Sequence, residues 1–322
     1  MAGTWVGIQN KFMKRVAVVI PCYRDAATLR DALASVYAQT YGVDEVVVVN
    51  DCSPETEAIE IVLRDFPGVV YIKNKNNIGL AASRNVGVLA STCEIVSFLD
   101  ADDMLHPRKI EIQLSVFNTG VAVTCKVRRF SDGLNDGSVA KCNDKYTVKE
   151  YADSREIILR NQLTGAALLI SKELLLSVGG YDERLRSCED FDLWLRLLDA
   201  GVKAKLVSLP LYLYRINESG LSKNYSNISY WELQVLQKYF QRHARGGLDS
   251  FVDAKIWAFW LIKHILRFEM SLNYELRRET RKNIALLGKF PMLVMFLEFV
   301  EKFRILRPVG IVLNSFGSSV NK

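Results

Sequence analysis

The chain has 322 residues, 49% of them apolar and 24% charged, and a net charge of +6. That length suits one large domain or a domain with a smaller appendage, and the composition excludes a disordered or collagen-like chain. The six cysteines, Cys22, Cys52, Cys93, Cys125, Cys142 and Cys188, contain no C-x-x-C pair; this excludes common zinc spacings and a disulfide-stapled scaffold, leaving small reduced hydrophobes. The opening stretch "MAGTWVGIQNKFMKR" has no apolar core of signal-peptide length. No charge-free run reaches the roughly 18 residues of a membrane span. The expectation is a cytoplasmic protein.

In chain order, "VAVVI" (16–20) is continuous and β-branched, as a strand buried on both faces should be. "TLRDALASVYAQ" (28–39) places Leu29, Leu33 and Val36 on one helical face. "EVVVVND" (45–51) is a second strand, "ETEAIEIVLRDF" (55–66) a second helix and "VVYIKN" (69–74) a third strand. "LAASRNVGVLAS" (80–91) is a helix rich in small residues, and "EIVSFLD" (94–100) a fourth strand. Strands alternating with helices imply parallel pairing through right-handed crossovers. Ligands of such sheets bind beyond the carboxyl ends of the strands. Residues 131–163 are polar and irregular in pattern. "TGAALLIS" (164–171) is a strand leading into the helix "KELLLSV" and the turn "GGYDE". "EDFDLWLRLLDAG" (189–201) is an amphipathic helix closed by a glycine. "AKLVSLPLYLYRIN" (204–217) reads as two short strands broken at Pro210. From Tyr225 onward the pattern is helical.

Chemistry concentrates at two acidic sites. In "SFLDADDMLHP" the fourth strand runs directly into Asp100, Asp102 and Asp103. Carboxylates this close raise one another's pKa unless a positive group sits among them. An arbitrary acidic loop ahead of Pro107 would simply cap a helix. At a parallel strand end, hard oxygen ligands suit Mg²⁺ or Mn²⁺, a cation usually shared with substrate phosphates. In "SCEDFDLWLRL", Ser187-x-x-Asp190 has the form of a capping box, and acids favour a helix's first turn.

Five stretches, "VVIPCYRDAATLRDALASVYAQTY", "EVVVVNDCSPE", "NKNNIGLAASRNVGV", "FLDADD" and "GGYDERLRSCEDFDLWLRL", occur in an order and spacing that resembles family 2 glycosyltransferases. The resemblance covers residues 15 to about 220. It implies a GT-A fold, α/β with a Rossmann-like mostly parallel sheet flanked by helices, and inverting sugar transfer from a nucleotide-sugar donor, UDP-linked by preference. Position by position, Pro21, Tyr23 and Asp51 match the nucleobase pocket. Asn77, Gly79 and Arg84 match a donor-side stretch in which Ser83 replaces the usual alanine; Arg84 would face the diphosphate or steady Asp100. Asp100 matches a ribose-contacting acid that also borders the metal, and Asp102 the ligand of a divalent Mn²⁺ or Mg²⁺. Asp190 matches the catalytic base with Glu189 as its supporting acid, because inverting displacement needs one carboxylate to take the acceptor proton. Asn217 stands where many relatives carry histidine, so its part in the metal or diphosphate site is open. A nucleotidyltransferase is the enzyme alternative, and a nucleotide-sugar-binding assembly subunit without turnover the other. No nucleic-acid partner is expected.

The division expected is 1–223 for the transferase domain and 224–322 for a helical basic extension. From Asn224 onward there are 15 Lys/Arg against 8 Asp/Glu, and in the remainder 27 against 28. Such a tail could pack on the domain, form a homo-oligomer or lie on an anionic membrane surface. The positive excess, with Trp257 and Trp260 beside lysines, brings the last level with core packing, and it would suit a lipid-linked or glycan acceptor in surface polysaccharide synthesis at the inner face of the membrane.

Overall fold

The computed structural model describes residues 14–131, 145–158, 161–216, 225–243 and 260. Four parallel strands come first: β1 (Val16–Cys22), β2 (Glu45–Asn50), β3 (Val70–Lys73) and β4 (Ile95–Phe98). They are connected by the helices α1 (Ala26–Tyr37), α2 (Thr56–Leu63) and α3 (Leu80–Ala90). The short strand β5 (Met104–Leu105) and helix α4 (Lys109–Ser115) follow, then the long strand β6 (Val121–Phe130). Next come β7 (Val148–Tyr151), α5 (Arg155–Ile158), β8 (Leu169–Ser171), α6 (Lys172–Ser177), α7 (Glu189–Asp199), β9 (Lys203–Arg215) and α8 (Tyr225–His243).

These strands form one sheet in the order β3-β2-β1-β4-β8-β6-β9-β5, with β7 also paired to β9. Pairs β1–β2, β1–β4, β2–β3 and β6–β9 are parallel, and β8 is antiparallel to both its neighbours. The mostly parallel α/β sheet is therefore present. Strand alternation divides the core in two. Val18, Ile20, Val48 and Leu99 face α1 and α4, while Val19, Val49, Phe98 and Ile170 face the side that carries Leu193, Trp194 and Leu197 of α7.

Four local expectations are corrected. Pro210 does not divide the last strand: β9 runs through it, because Pro210 lies between the stretches of β9 that pair with β7 and β5, and β6 shifts register opposite it. The polar segment 131–163 contains β7 and α5, ordered by pairing to β9 rather than by its own pattern. "TGAALLIS" supplies a strand only at Leu169–Ser171; Gly165 and Leu168 close a turn before it. Ser187 forms no capping box, since the residue before α7 is Cys188 in the left-handed region (φ 58°) with no side-chain cap.

The helix α8 packs on α7 and puts Leu233, Leu236 and Phe240 into the same core. Lys238 pairs with Asp182, and Arg242 reaches Asp199 at 3.6 Å. Trp260, offered by the sequence as a membrane-interface side chain, is instead 3% exposed and donates from its indole to the Ile158 carbonyl at 2.7 Å. Trp257 and the rest of the extension lie outside the described residues. No described helix is long and apolar enough to cross a membrane.

Candidate active site

The carboxyl ends of β1, β2 and β4 converge on one edge of the sheet. Pro21 is buried within β1 opposite Val49 and brings Tyr23 to the surface, 39% exposed, with the Arg24 guanidinium 5.3 Å from its ring. Asp51 follows β2 and is 4% exposed. Its carboxylate accepts from the Asn74 side chain at 2.9 Å, Ile78 N–H at 2.9 Å and Gly79 N–H at 2.8 Å. Asn77 donates to the Asp51 carbonyl at 3.3 Å. Asp51, Asn77 and Gly79 thus form one tied loop, in which Gly79 takes a φ of 94° that a side chain would strain. An ionised carboxylate has about four acceptor positions, so this geometry leaves Asp51 room for one further donor.

Arg84 supplies the positive charge that the acidic loop lacked. It is 2% exposed, with Nη2 2.7 Å from Asp100 Oδ1 and Nη1 2.6 Å from Glu189 Oε1. Its guanidinium also lies 5.3 Å from the ring centre of Tyr181. The small residues around it in α3 are what let so large a cation be buried: Ala81, Ala82 and Ser83 are buried with it. Arg84 is thus in place to steady Asp100, one of its two expected roles.

The other acids divide by environment. Asp103 is 1% exposed and accepts from the Tyr212 hydroxyl and the Arg215 N–H, each at 2.7 Å. Arg215 also donates to the Asp102 carbonyl at 2.9 Å and pairs with Asp31 at 2.8 Å. Tyr212 and Arg215 therefore pin the acidic loop to β9. Sequence reasoning did not single out either, although the "YLYRI" run at a strand end was its visible signal. Asp102 is half-buried with Asp100 and Asp25 as its acidic neighbours. Burial, then Asp100, then Asp25 push its pKa up to about 6. Asp25 is likewise pushed up to about 6, first by burial and then by Asp100 and Glu55.

Such crowding is the condition that a cation relieves. Among the described residues no three His, Cys, Asp or Glu side chains form a self-sufficient metal centre. Hard carboxylate oxygens from Asp100 and Asp102 do fit a small divalent ion that completes its shell with phosphate and water. Asn217 lies outside the described residues.

Asp190 occupies the first turn of α7, next to Glu189. Its carboxylate accepts from its neighbour Phe191 N–H at 2.7 Å and from Gly165 N–H at 3.2 Å. A Cβ at Gly165 would stand 2.1 Å from the Asp190 Cβ, so only glycine lets the two segments approach this closely. Sequence analysis missed Gly165, for which the Thr-Gly pair at 164–165 was the only signal. Burial, then Glu189, push the Asp190 pKa up to about 6, against the pull of the Gly165 amide. Asp192, one turn position further, is 1% exposed and held by Arg196 at 2.7 Å, a structural role. The site thus offers a constrained carboxylate near neutrality on one side and a cation-seeking acidic edge on the other.

Comparison with known proteins bears on the family and the fold. Residues 17–174 match the model of "Glycosyl transferase family 2". An uncharacterized glycosyltransferase of Rickettsia typhi is 32% identical over 195 residues, 59% of this chain and 60% of the relative, so the match leaves a large part of that relative's length unspanned. Among solved structures, S. aureus TarS 1-349 in complex with UDP-GlcNAc superposes with a TM-score of 0.60 at 17% identity, over 87% of this chain and 81% of that one. The mannosyltransferase PcManGT of Pyrobaculum calidifontis, in complex with GDP-Man and Mn²⁺, gives a TM-score of 0.59 at 16% identity, over 95% and 86%. At such identities the likeness concerns the fold.

Proposed function

Residues 17–174 match the model of glycosyltransferase family 2, and on that premise we propose that the chain is a glycosyltransferase of this family that transfers a sugar, with inversion, from a nucleotide-sugar donor to an acceptor hydroxyl. One observation carries the reading. Asp190, constrained by Gly165, sits beside Glu189, and Glu189 shares a single buried guanidinium with Asp100 of the acidic edge. A base and a donor-side acid therefore belong to one site rather than two.

In this reading Asp190 removes the acceptor proton. A pKa of about 6 keeps it ionised at neutral pH yet basic enough to hold a proton in the transition state. Pro21, Tyr23, Asp51, Asn77 and Gly79 shape the nucleoside end: Tyr23 offers a ring face to the base, and Asp51 its remaining acceptor position. Asp100 serves the ribose or the cation, and Asp102 is the first ligand of Mn²⁺ or Mg²⁺. A bound cation would supply charge neutralisation to the departing diphosphate, so no protein acid is required there. The structures of other proteins with UDP-GlcNAc and with GDP-Man and Mn²⁺ support a nucleotide-sugar donor as a class.

The donor and base chemistry is assigned to 1–223. The helix α8 of the extension 224–322 packs on α7, and the extension carries the chain's positive excess in sequence. A glycan or lipid-linked acceptor, in surface polysaccharide synthesis at the cytoplasmic face of a membrane, completes the proposal. The test is calorimetry and turnover with the full chain and a panel of UDP- and GDP-sugars, with and without Mn²⁺. Binding of one nucleotide sugar followed by its turnover is expected, and a chain that binds none of them would overturn the reading.

A further inference from the structure

Two carboxylates on one buried guanidinium need an explanation, because burying such a cluster is costly unless each charge is held. The three groups come from three elements. Arg84 lies in α3, Asp100 follows β4, and Glu189 opens α7. Arginine is the one side chain whose planar fork can hold two acids at a fixed separation. Here its two Nη groups take one acid each, at 2.7 and 2.6 Å, while its central carbon lies over the Tyr181 ring, 5.3 Å from the ring centre.

Tyr181 is itself fastened. The Asn85 amide accepts from the Tyr181 N–H at 2.9 Å and donates to its carbonyl at 2.8 Å. Gly180 permits this approach, for a Cβ there would stand 2.7 Å from Asn85 Oδ1. Adjacent residues of α3 therefore hold both the strap and the surface on which it lies.

We propose that Glu189 is a positioning residue and not a second proton acceptor: the Arg84 fork straps Glu189 to Asp100 and so sets the base-bearing start of α7 against the acidic edge. This deepens, and rests on, the assignment of Asp190 as the base. Glu189 has its near oxygen committed to Arg84, and Asp190 is the following residue, so any slip of Glu189 is passed directly to the base. Cys188, in a left-handed conformation, gives the helix start no side-chain cap, and its thiol reaches instead to the Ile228 carbonyl of α8 at 3.7 Å, so the strap is the charged restraint on that side. Gly165 supplies the restraint on the other.

The distinction is measurable because a strap needs an acceptor and a base needs a charge. Glu189→Gln keeps an oxygen for Arg84 Nη1; Glu189→Ala removes it. Expected is a loss in kcat of about 10²-fold for E189A, the scale of an ångström of misplacement, with E189Q recovering to within about tenfold of the parent. Calorimetric affinity for UDP in Mn²⁺ should change by less than about threefold in both, since each variant leaves Asp100 on Arg84 Nη2. R84K, which keeps the charge but not the fork, should resemble E189A in kcat and, because it also loosens Asp100, weaken UDP binding as well. An E189Q as inactive as E189A would show that Glu189 acts through its charge and would overturn the proposal, as would an E189A with near-parental kcat. Asp190→Asn in the same assay separates the two readings. If D190N retains turnover, the base assignment fails; if D190N is inactive while E189A is not, the strap alone fails.

Discussion

Replacing Gly165 by alanine is the sharpest perturbation of the base that leaves every ionisable group in place. The new methyl would stand 2.1 Å from Asp190 Cβ and 3.1 Å from both Cγ and Oδ2. Carbon atoms rest at about 3.5–4.0 Å, so the Cβ pair alone is short by roughly 1.5 Å. Neither atom is the free end of a flexible chain: one belongs to the backbone of the turn, the other to the first turn of α7. The segments must therefore separate, and the 3.2 Å bond from Gly165 N–H to Asp190 is lost with the approach. Misplacing a reacting group by about 1 Å can cost 10²-fold in rate. Overpacking a tight contact destabilises by about 1–3 kcal/mol, which a domain of this size tolerates. Gly165→Ala should therefore fold, bind UDP in Mn²⁺ with parental affinity, and lose about 10²-fold in kcat. Steady-state transfer beside calorimetry reads both. Parental kcat, or a loss confined to UDP affinity, would refute the assignment of this glycine to the base.

Further outcomes follow from the same geometry. Asp102→Asn should weaken UDP binding in Mn²⁺ while leaving metal-free binding little changed, because one hard ligand is lost from a small carboxylate set; two calorimetric titrations compare them. Asp190→Asn should retain UDP affinity and lose transfer by about 10²-fold or more, the usual scale for a general base. With its pKa raised to about 6, Asp190 becomes protonated as pH falls, so transfer should decline below about pH 6 and level off above it in a pH–rate profile. Lys109 is buried against Ser97 and Gln113, each 2.8 Å from Nζ, and burial lowers its pKa from 10.5 to about 8. The unfolded chain then binds more protons between pH 8 and 10.5, so stability should rise with pH across that window, by up to about 3 kcal/mol from this group. Buried Cys22 and Cys93, whose pKa values are raised, act in the opposite direction above about pH 9, so the check is a difference: from pH 7.5 to about 10, urea melts should show the parent gaining stability relative to Lys109→Met.

The sequence alone determined the sheet and the address of the chemistry. "VAVVI", "EVVVVND" and "EIVSFLD" are continuous apolar runs separated by helical patterns, and burial on both faces leaves such runs no other use than adjacent parallel strands. It followed that Asp51 and Asp100 to Asp103 lie at one sheet edge. The start of α7 was legible as an acidic helix N-terminus, and the order of the motifs put the proposed base within it. What the sequence could not decide was which charge meets which. Arg84 and Glu189 are 105 positions apart, and Asp103 and Arg215 are 112 apart. No local pattern records that one guanidinium lies between two acids, or that a glycine at 165 makes room for a carboxylate at 190. Pro210 read as a break because its missing N–H was judged without knowing which edge of β9 it faced. Trp260 read as a membrane side chain because an aromatic among lysines looks the same in sequence whether it meets lipid or the Ile158 carbonyl. Periodicity is a property of neighbouring residues and fixes the elements. Charge pairing and close approach are properties of the closed sheet, and only the packed chain decides them.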